Sequence, residues 1–136
     1  MQDFNTKIID EFRENQGKVG GTFAGAPMLL LHHKGRKSGT ERVNPLVYLP
    51  DGDHYVIFGS KGGSTKHPEW YLNLVANPDA SIEVGSETIP VRAETASGAE
   101  HERLYKEQVS RMPVFGEYQA RAAGRIIPAV VLTRKS

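Results

Sequence analysis

The sequence predicts a small antiparallel β-barrel with helices packed outside it, an α+β domain. Two observations carry the prediction. Short β-rich runs are joined by tight turns instead of alternating regularly with helices, which argues against a doubly wound parallel sheet. The 136 residues, with 14 Gly, 8 Pro and a hydrophobic fraction of 38%, also fit one globular domain with many turns.

Asp3 to Gln16 set Phe4, Ile8, Ile9 and Phe12 on one helical stripe, opposite Lys7, Asp10, Glu11, Arg13 and Glu14. Such a stripe suits a core or a peripheral contact with a membrane surface. The mixed charge of the polar face, without a Lys/Arg excess, favours the core. Gly17, Gly20, Gly21 and Gly25 follow as a permissive connection, so that residues 1–27 read as helix and connector and 28–136 as the barrel domain.

Met28 to His33 is a first strand. Val43 to Leu49, interrupted by Pro45, is a second, and Asp51-Gly52-Asp53 turns it into a third at His54 to Gly59. Pro68 opens a short helix with Trp70, Tyr71, Leu74 and Val75 on one face, and Asn77-Pro78-Asp79 closes it. Ala80 to Val84 and Glu87 to Ala93 alternate with period two around Gly85-Ser86, a second hairpin. Ser97-Gly98-Ala99-Glu100 has the form of a capping box, ahead of a helix burying Leu104, Tyr105, Val109 and Met112. Ile126 to Thr133 is the last strand, with Pro128 suggesting an edge or a bulge.

Composition narrows the function classes. The chain has no cysteine, which excludes a disulfide scaffold, a thiolate metal site and a Cys nucleophile, and suits a reducing cytoplasm. No apolar run approaches the ~20 residues of a spanning helix, and the N-terminus lacks a signal pattern. Dinucleotide-fold, P-loop, zincin and hydrolase motifs are all missing from the sequence. His32 and His33 point to opposite faces of a strand, and His54, His67 and His101 are scattered, so no metal site is expected.

Charge is balanced overall, 17 basic against 16 acidic residues, yet Lys34, Arg36, Lys37 and Arg42 crowd one short stretch against a single acid, Glu41. There Gly35-Arg36-Lys37-Ser38-Gly39 sets two cations and a hydroxyl in a glycine-bounded turn suited to an anion. Alone it reads equally well as a solvated basic turn. Ser60-Lys61-Gly62-Gly63-Ser64-Thr65-Lys66 is a second anion-seeking loop, between a strand and the helix at Pro68. Together the two suggest one extended anionic ligand. Nucleic acid fits less well, because net charge is +1 and no aromatics interleave with the basic residues.

At these loops the sequence resembles a known family. Gly35-Arg36-Lys37-Ser38-Gly39, then Arg42-Val43-Asn44-Pro45-Leu46, Asp51-Gly52-Asp53, Ser60-Lys61-Gly62-Gly63, Lys66-His67-Pro68, Trp70-Tyr71-Leu72-Asn73-Leu74 and Asn77-Pro78 resemble the deazaflavin (F420)-dependent nitroreductase family of actinobacteria, in its F420H2-dependent quinone reductase type. The likeness covers nearly all of Met28 to Ser136. It implies a split β-barrel of the pyridoxamine-oxidase-like, FMN-binding type that binds coenzyme F420, whose tail carries a phosphate and glutamates.

Carried over by motif, Arg36, Lys37 and Ser38 would hold the tail phosphate region, and Lys61 with the Gly62 and Gly63 backbone further phosphate or ring-proximal atoms. Ser60 would face the deazaflavin; Pro68 and Trp70 would shape the wall beside it, although plain core packing accounts for Trp70 as well. The implied chemistry is hydride transfer to a hydrophobic, electron-poor small molecule: a quinone, an enone or a nitro compound. Of the tyrosines that line the pocket in nitroimidazole-activating members, two positions hold Met112 and Phe115 here, and Tyr118 remains. Tyr118 and Ser60 are therefore the expected catalytic hydroxyls, with quinone or enone reduction favoured over nitroimidazole reduction. An FMN enzyme on the same barrel is one rival reading, and a module that binds F420 or a lipid without turnover is another. Oligomeric state is open.

Overall fold

The computed structural model describes residues 4–15, 27–63, 66–122 and 124–135. The expected glycine-rich connection from Gly17 to Gly25, and Ser64 and Thr65 of the second loop, lie outside them. In chain order the elements are α1 (Phe4–Glu14), β1 (Met28–Lys34), β2 (Glu41–Asp51), β3 (His54–Phe58), a 3-10 turn (Lys61–Gly63), α2 (Glu69–Ala76), β4 (Asp79–Val84), β5 (Glu87–Thr95), α3 (Gly98–Arg111), α4 (Val114–Arg121) and β6 (Ala129–Arg134).

The six strands close into an antiparallel barrel in the order β1-β2-β3-β6-β5-β4, with β4 returning to pair with β1. Two-residue loops make the β2–β3 and β4–β5 hairpins, and each begins with a glycine at φ +59°, Gly52 and Gly85, where a side chain would be strained.

Alternation divides the strand residues between the barrel interior and its outer faces. Leu29, Leu31, Ile57, Ile82, Ile89, Val91, Val130 and Leu132 form one buried cluster, which Trp70 and Leu74 of α2 complete. Val56 and Phe58 face the other way and pack with Leu104, Tyr105 and Phe115 of α3 and α4. On a third face Met28 and Leu30 receive Phe12 of α1, which is wholly buried, with Ile8 and Ile9 beside it. Burying such a phenylalanine is worth about 1.5 to 3 kcal/mol. Ile8, Ile9 and Phe12 of α1 are thus packed on the barrel. No helix among the described residues is long and apolar enough to cross a membrane.

A polar cluster fixes the same helix. Arg13 donates to both carboxylate oxygens of Glu83, at 3.2 and 2.8 Å. Glu83 also meets His32 Nε2, while His32 Nδ1 lies 2.9 Å from Glu41. His32 faces outward and His33 inward, as adjacent strand residues must.

Several expected details differ. β2 runs unbroken through Pro45, which stands opposite Leu30 in the register. α2 starts at Glu69 with Pro68 as its N-cap, and its buried positions are Trp70, Asn73 and Leu74; Val75 is 61% exposed. Ser97 is the N-cap of α3, but its side chain makes no capping hydrogen bond. Gln108 is buried on α3, with Val109 half-buried. β6 begins only at Ala129, and Pro128 precedes it, its carbonyl accepting the Gly59 N–H at 2.9 Å. α4 was not expected. Gly116 weakens the helical signal of this eight-residue segment, which tertiary packing of Phe115 and Ala122 restores.

Candidate active site

A cleft of about 910 Å³ opens beside the barrel, between the 35–38 turn, the start of α2, Ser60-Lys61 and α4. It gathers Arg36, Lys37, Ser38, Ser60, Lys61, Pro68, Trp70, Met112, Phe115 and Tyr118 along one wall-to-wall surface, although these residues span more than half the chain.

The first basic turn closes on itself. Gly35 N–H donates to Thr40 O at 2.9 Å and Gly39 N–H to Gly35 O at 2.8 Å, with Gly39 at φ +71°. Ser38 Oγ accepts the Thr40 N–H at 3.2 Å. Arg36 does not reach out alone: its guanidinium donates to Glu69 Oε2 at 2.6 Å and to Asn73 Oδ1 at 3.0 Å. The Arg36 hydrogen bond holds the Glu69 carboxyl below the usual range, and the charges of Lys61 and Lys37 add to the effect. The two basic loops therefore converge on one spot, around Glu69.

The second loop is shaped from behind. Arg125 donates through one guanidinium nitrogen to Gly59 O at 2.9 Å and to His67 Nδ1 at 3.0 Å, and through the other to Ser60 O at 2.9 Å. Burial lowers the pKa of Arg125 and of His67, and the Arg125 charge lowers His67 further, so the imidazole stays neutral and accepts. Lys61 takes φ +47° at the head of the 3-10 turn that Gly62 and Gly63 complete. Gly63 backs onto α4 instead of facing the cleft, and its N–H is already given to Ser60 O at 2.9 Å.

Part of the cleft lining is apolar and aromatic. Phe58, Phe115 and Tyr118 stand edge to face in sequence, with ring centroids 5.8 and 5.2 Å apart, and Met112, Leu46 and Val47 extend the lining. Tyr105 donates to Phe115 O at 2.6 Å and pins the α3–α4 corner; burial pushes its phenol up to about 12. Gln119 bridges α4 to the chain before β6, donating to Arg125 O at 2.6 Å and accepting the Ile127 N–H at 3.0 Å. Trp70 packs into the barrel core and also lines the cleft.

Sequence reasoning missed His33, Asn44, Asn73, Glu69 and Arg125. The first four line the cleft, and His33 and Asn73 are each only 3% exposed. A signal existed for two of them: Asn73 breaks the apolar face of α2 between Trp70 and Leu74, and His33 shares the inward parity of Leu29 and Leu31.

A closed six-stranded barrel whose side cleft gathers a cationic cluster and an aromatic one defines a cofactor-binding split-barrel protein. The pyridoxamine 5′-phosphate oxidase-like protein of Listeria innocua shares this fold, with a TM-score of 0.57 at 12% identity over 96% of this chain and 92% of that one. The family described as F420H(2)-dependent quinone reductase matches residues 6–134, and the chain belongs to it. It is accordingly an oxidoreductase that uses coenzyme F420. The F420H(2)-dependent quinone reductase Rv1261c of Mycobacterium tuberculosis is 40% identical over 128 residues, 91% of this chain and 85% of that protein. Among solved structures, an F420-H2 dependent reductase, FDR-A, has a TM-score of 0.71 and 36% identity, covering 78% of this chain and 93% of the other.

Proposed function

We propose that the protein reduces a flat, hydrophobic, electron-poor acceptor, a quinone first and an enone second, in the aromatic end of the cleft. The observation that carries this reading is that one cleft holds both a cationic cluster, Arg36, Lys37 and Lys61 around Glu69, and an aromatic one, Phe58, Phe115 and Tyr118. Such a pairing suits a coenzyme with an anionic tail and a flat ring, and three cations gathered around one spot exceed what the single phosphate of FMN requires.

When bound, reduced F420 supplies the hydride. Lys37 and Lys61, with Arg36 beside them, hold the anionic tail by charge-assisted contacts, and Ser38 adds a hydroxyl. Ser60 lines the same cleft beside Lys61, and its hydroxyl can orient the ring. Pro68 and Trp70 form a rigid wall that excludes water from one side. Tyr118, edge-on to Phe115 at 5.2 Å, offers the one phenol of the acceptor end, and its O–H donates to the oxygen on which charge develops. Met112 and Phe115 leave the rest of that pocket without donors, which suits quinones better than nitroimidazoles. The chain has no cysteine to oxidise, and we place the reaction in the cytoplasm.

The test is titration of the protein with F420 and with FMN, followed by steady-state oxidation of F420H2 in the presence of menadione. Tight F420 binding with menadione-dependent turnover supports the reading. Preference for FMN, or F420 binding without turnover of any quinone, contradicts it.

A further inference from the structure

Behind the anion end of the cleft lies a chain of hydrogen bonds with a fixed polarity. Asn73 Oδ1 accepts twice from Arg36, from the backbone N–H at 3.1 Å and from the guanidinium at 3.0 Å. An amide whose oxygen is so engaged turns its nitrogen the other way, and Asn73 Nδ2 lies 3.1 Å from His33 Nδ1. That ring nitrogen must then accept, so the His33 proton sits on Nε2, which donates to Asn44 Oδ1 at 2.7 Å. Each link dictates the next, from β2 through β1 and α2 to the basic turn.

We propose that His33 and Asn73 are positioning residues for the anion site: the neutral Nε2–H tautomer of His33 orients the Asn73 amide, and Asn73 in turn holds the Arg36 guanidinium in the geometry that meets the anionic tail. Both side chains are 3% exposed, and no buried side-chain nitrogen or oxygen among the described residues lacks a partner, so the polarity cannot be reversed at one link alone. A second proton on His33 would set two donors against each other at Nδ1 and Asn73 Nδ2. Burial resists that proton, and charges of both signs surround the ring. Arg42 stands opposite His33 in the β1–β2 register, with His32 and Lys34 adjacent on β1. Arg36 and Glu69 lie beyond Asn73, and Glu41, Asp79 and Lys135 border the outer side. Burial is the main influence and lowers the His33 pKa; the Asn44 hydrogen bond opposes it, and Arg42 and His32 act in the direction of burial.

The choice of ligand probe rests on the F420 reading; the Arg36 geometry does not. F420 affinity is measured by fluorescence quenching for the unmodified protein, Asn73→Ala, Arg36→Ala and the double variant. Asn73→Ala weakens binding about tenfold, as loss of hydrogen bonds to a charged group implies, yet in the Arg36→Ala background it adds less than about twofold. Independent, multiplied losses overturn the proposal, since a merely structural Asn73 would give them in either background. Imidazole nitrogen NMR of the unmodified protein at pH 7.5 reads the other half and survives any folding defect of the variants. His33 protonated only at Nε2 is expected; an Nδ1–H tautomer or an imidazolium overturns the proposal. No quenching by the unmodified protein would defeat the F420 reading while leaving the NMR result to judge the positioning chain.

Discussion

Gly63 and Tyr118 touch through their backbones: a Cβ on Gly63 would stand 2.9 Å from the Tyr118 carbonyl oxygen and 2.8 Å from the Arg121 Cβ. The loop that carries Ser60 and Lys61 is therefore seated directly on the helix that carries Phe115 and Tyr118. The cationic and aromatic parts of the cleft lining therefore meet where this loop packs on α4.

Gly63→Ala should disturb both ends at once. The residue sits at φ +85°, where an L side chain is strained, and the added methyl meets backbone that cannot rotate away. Strain and overpacking together should cost about 1 to 3 kcal/mol by urea denaturation, with a fall in quinone turnover. Gly52→Ala is the control: its φ is +59° but nothing lies within 4 Å of the new Cβ, so it should lose stability through strain alone and keep turnover.

The three cations around Glu69 predict opposite signs for two kinds of variant. Lys37→Ala and Lys61→Ala should each weaken F420 binding by about ten- to a hundredfold, the value of a charge-assisted contact, and the loss should shrink at high salt. Glu69→Gln should tighten binding several-fold, because the carboxylate competes with the tail for Arg36 at 2.6 Å while Asn73 still holds that guanidinium. Titrations at low and high ionic strength measure all three.

Stability should begin to fall at mildly acidic pH. His33 and His67 both have pKa values below the ordinary 6.5 because they are buried, so in the pH range just below 6.5 the unfolded chain binds protons that the folded chain refuses. Their contribution is constant above 6.5 and is lost as pH falls through that range to the folded values. A second decline follows near and below 4.5, where Glu83 and Asp51, held down by Arg13 and Arg103, lose their partners. Melting temperatures at pH 7.5, 6.0, 5.0 and 3.5 separate the two limbs, and His67→Gln should flatten the first.

Much of this fold was legible because its signals were local. Hairpin glycines, the period-two run of β4 and β5 and the stripe of α1 each name an element with little help from the rest of the chain. α4 was hidden because its stability comes from burying Phe115 and Ala122 under β3 and α3, a tertiary gain that no eight-residue window displays. The cleft divided in the same way. Lys37, Lys61 and Ser60 stood out as exposed chemistry in glycine-bounded loops. His33, Asn73 and Arg125 did not, because their meaning lies in contacts with residues such as Arg36, Asn44 and Gly59, many positions away. Glu69 looked like an ordinary first-turn acid of a helix, and only the folded chain sets it against Arg36.

Tyr118 should matter for turnover more than for cofactor binding. Tyr118→Phe keeps the edge contact with Phe115 at 5.2 Å but removes the phenol, and a hydrogen bond of this kind to developing charge is worth ~2.7 to 4 kcal/mol in a transition state. Ser60 and water entering the cleft offset part of the loss for a quinone oxygen. Quinone turnover should therefore drop by more than any fall in F420 affinity, as steady-state rates beside a fluorescence titration would record.

The most direct measurement is single-turnover absorbance of F420H2 mixed with the unmodified protein and either menadione or a nitroimidazole. A cleft with one phenol, and with Met112 and Phe115 at its other acceptor positions, predicts prompt oxidation of the reduced cofactor by menadione and little or none by the nitroimidazole. Rapid nitroimidazole reduction, or no oxidation by any quinone, would contradict the assignment of the aromatic end as a quinone site.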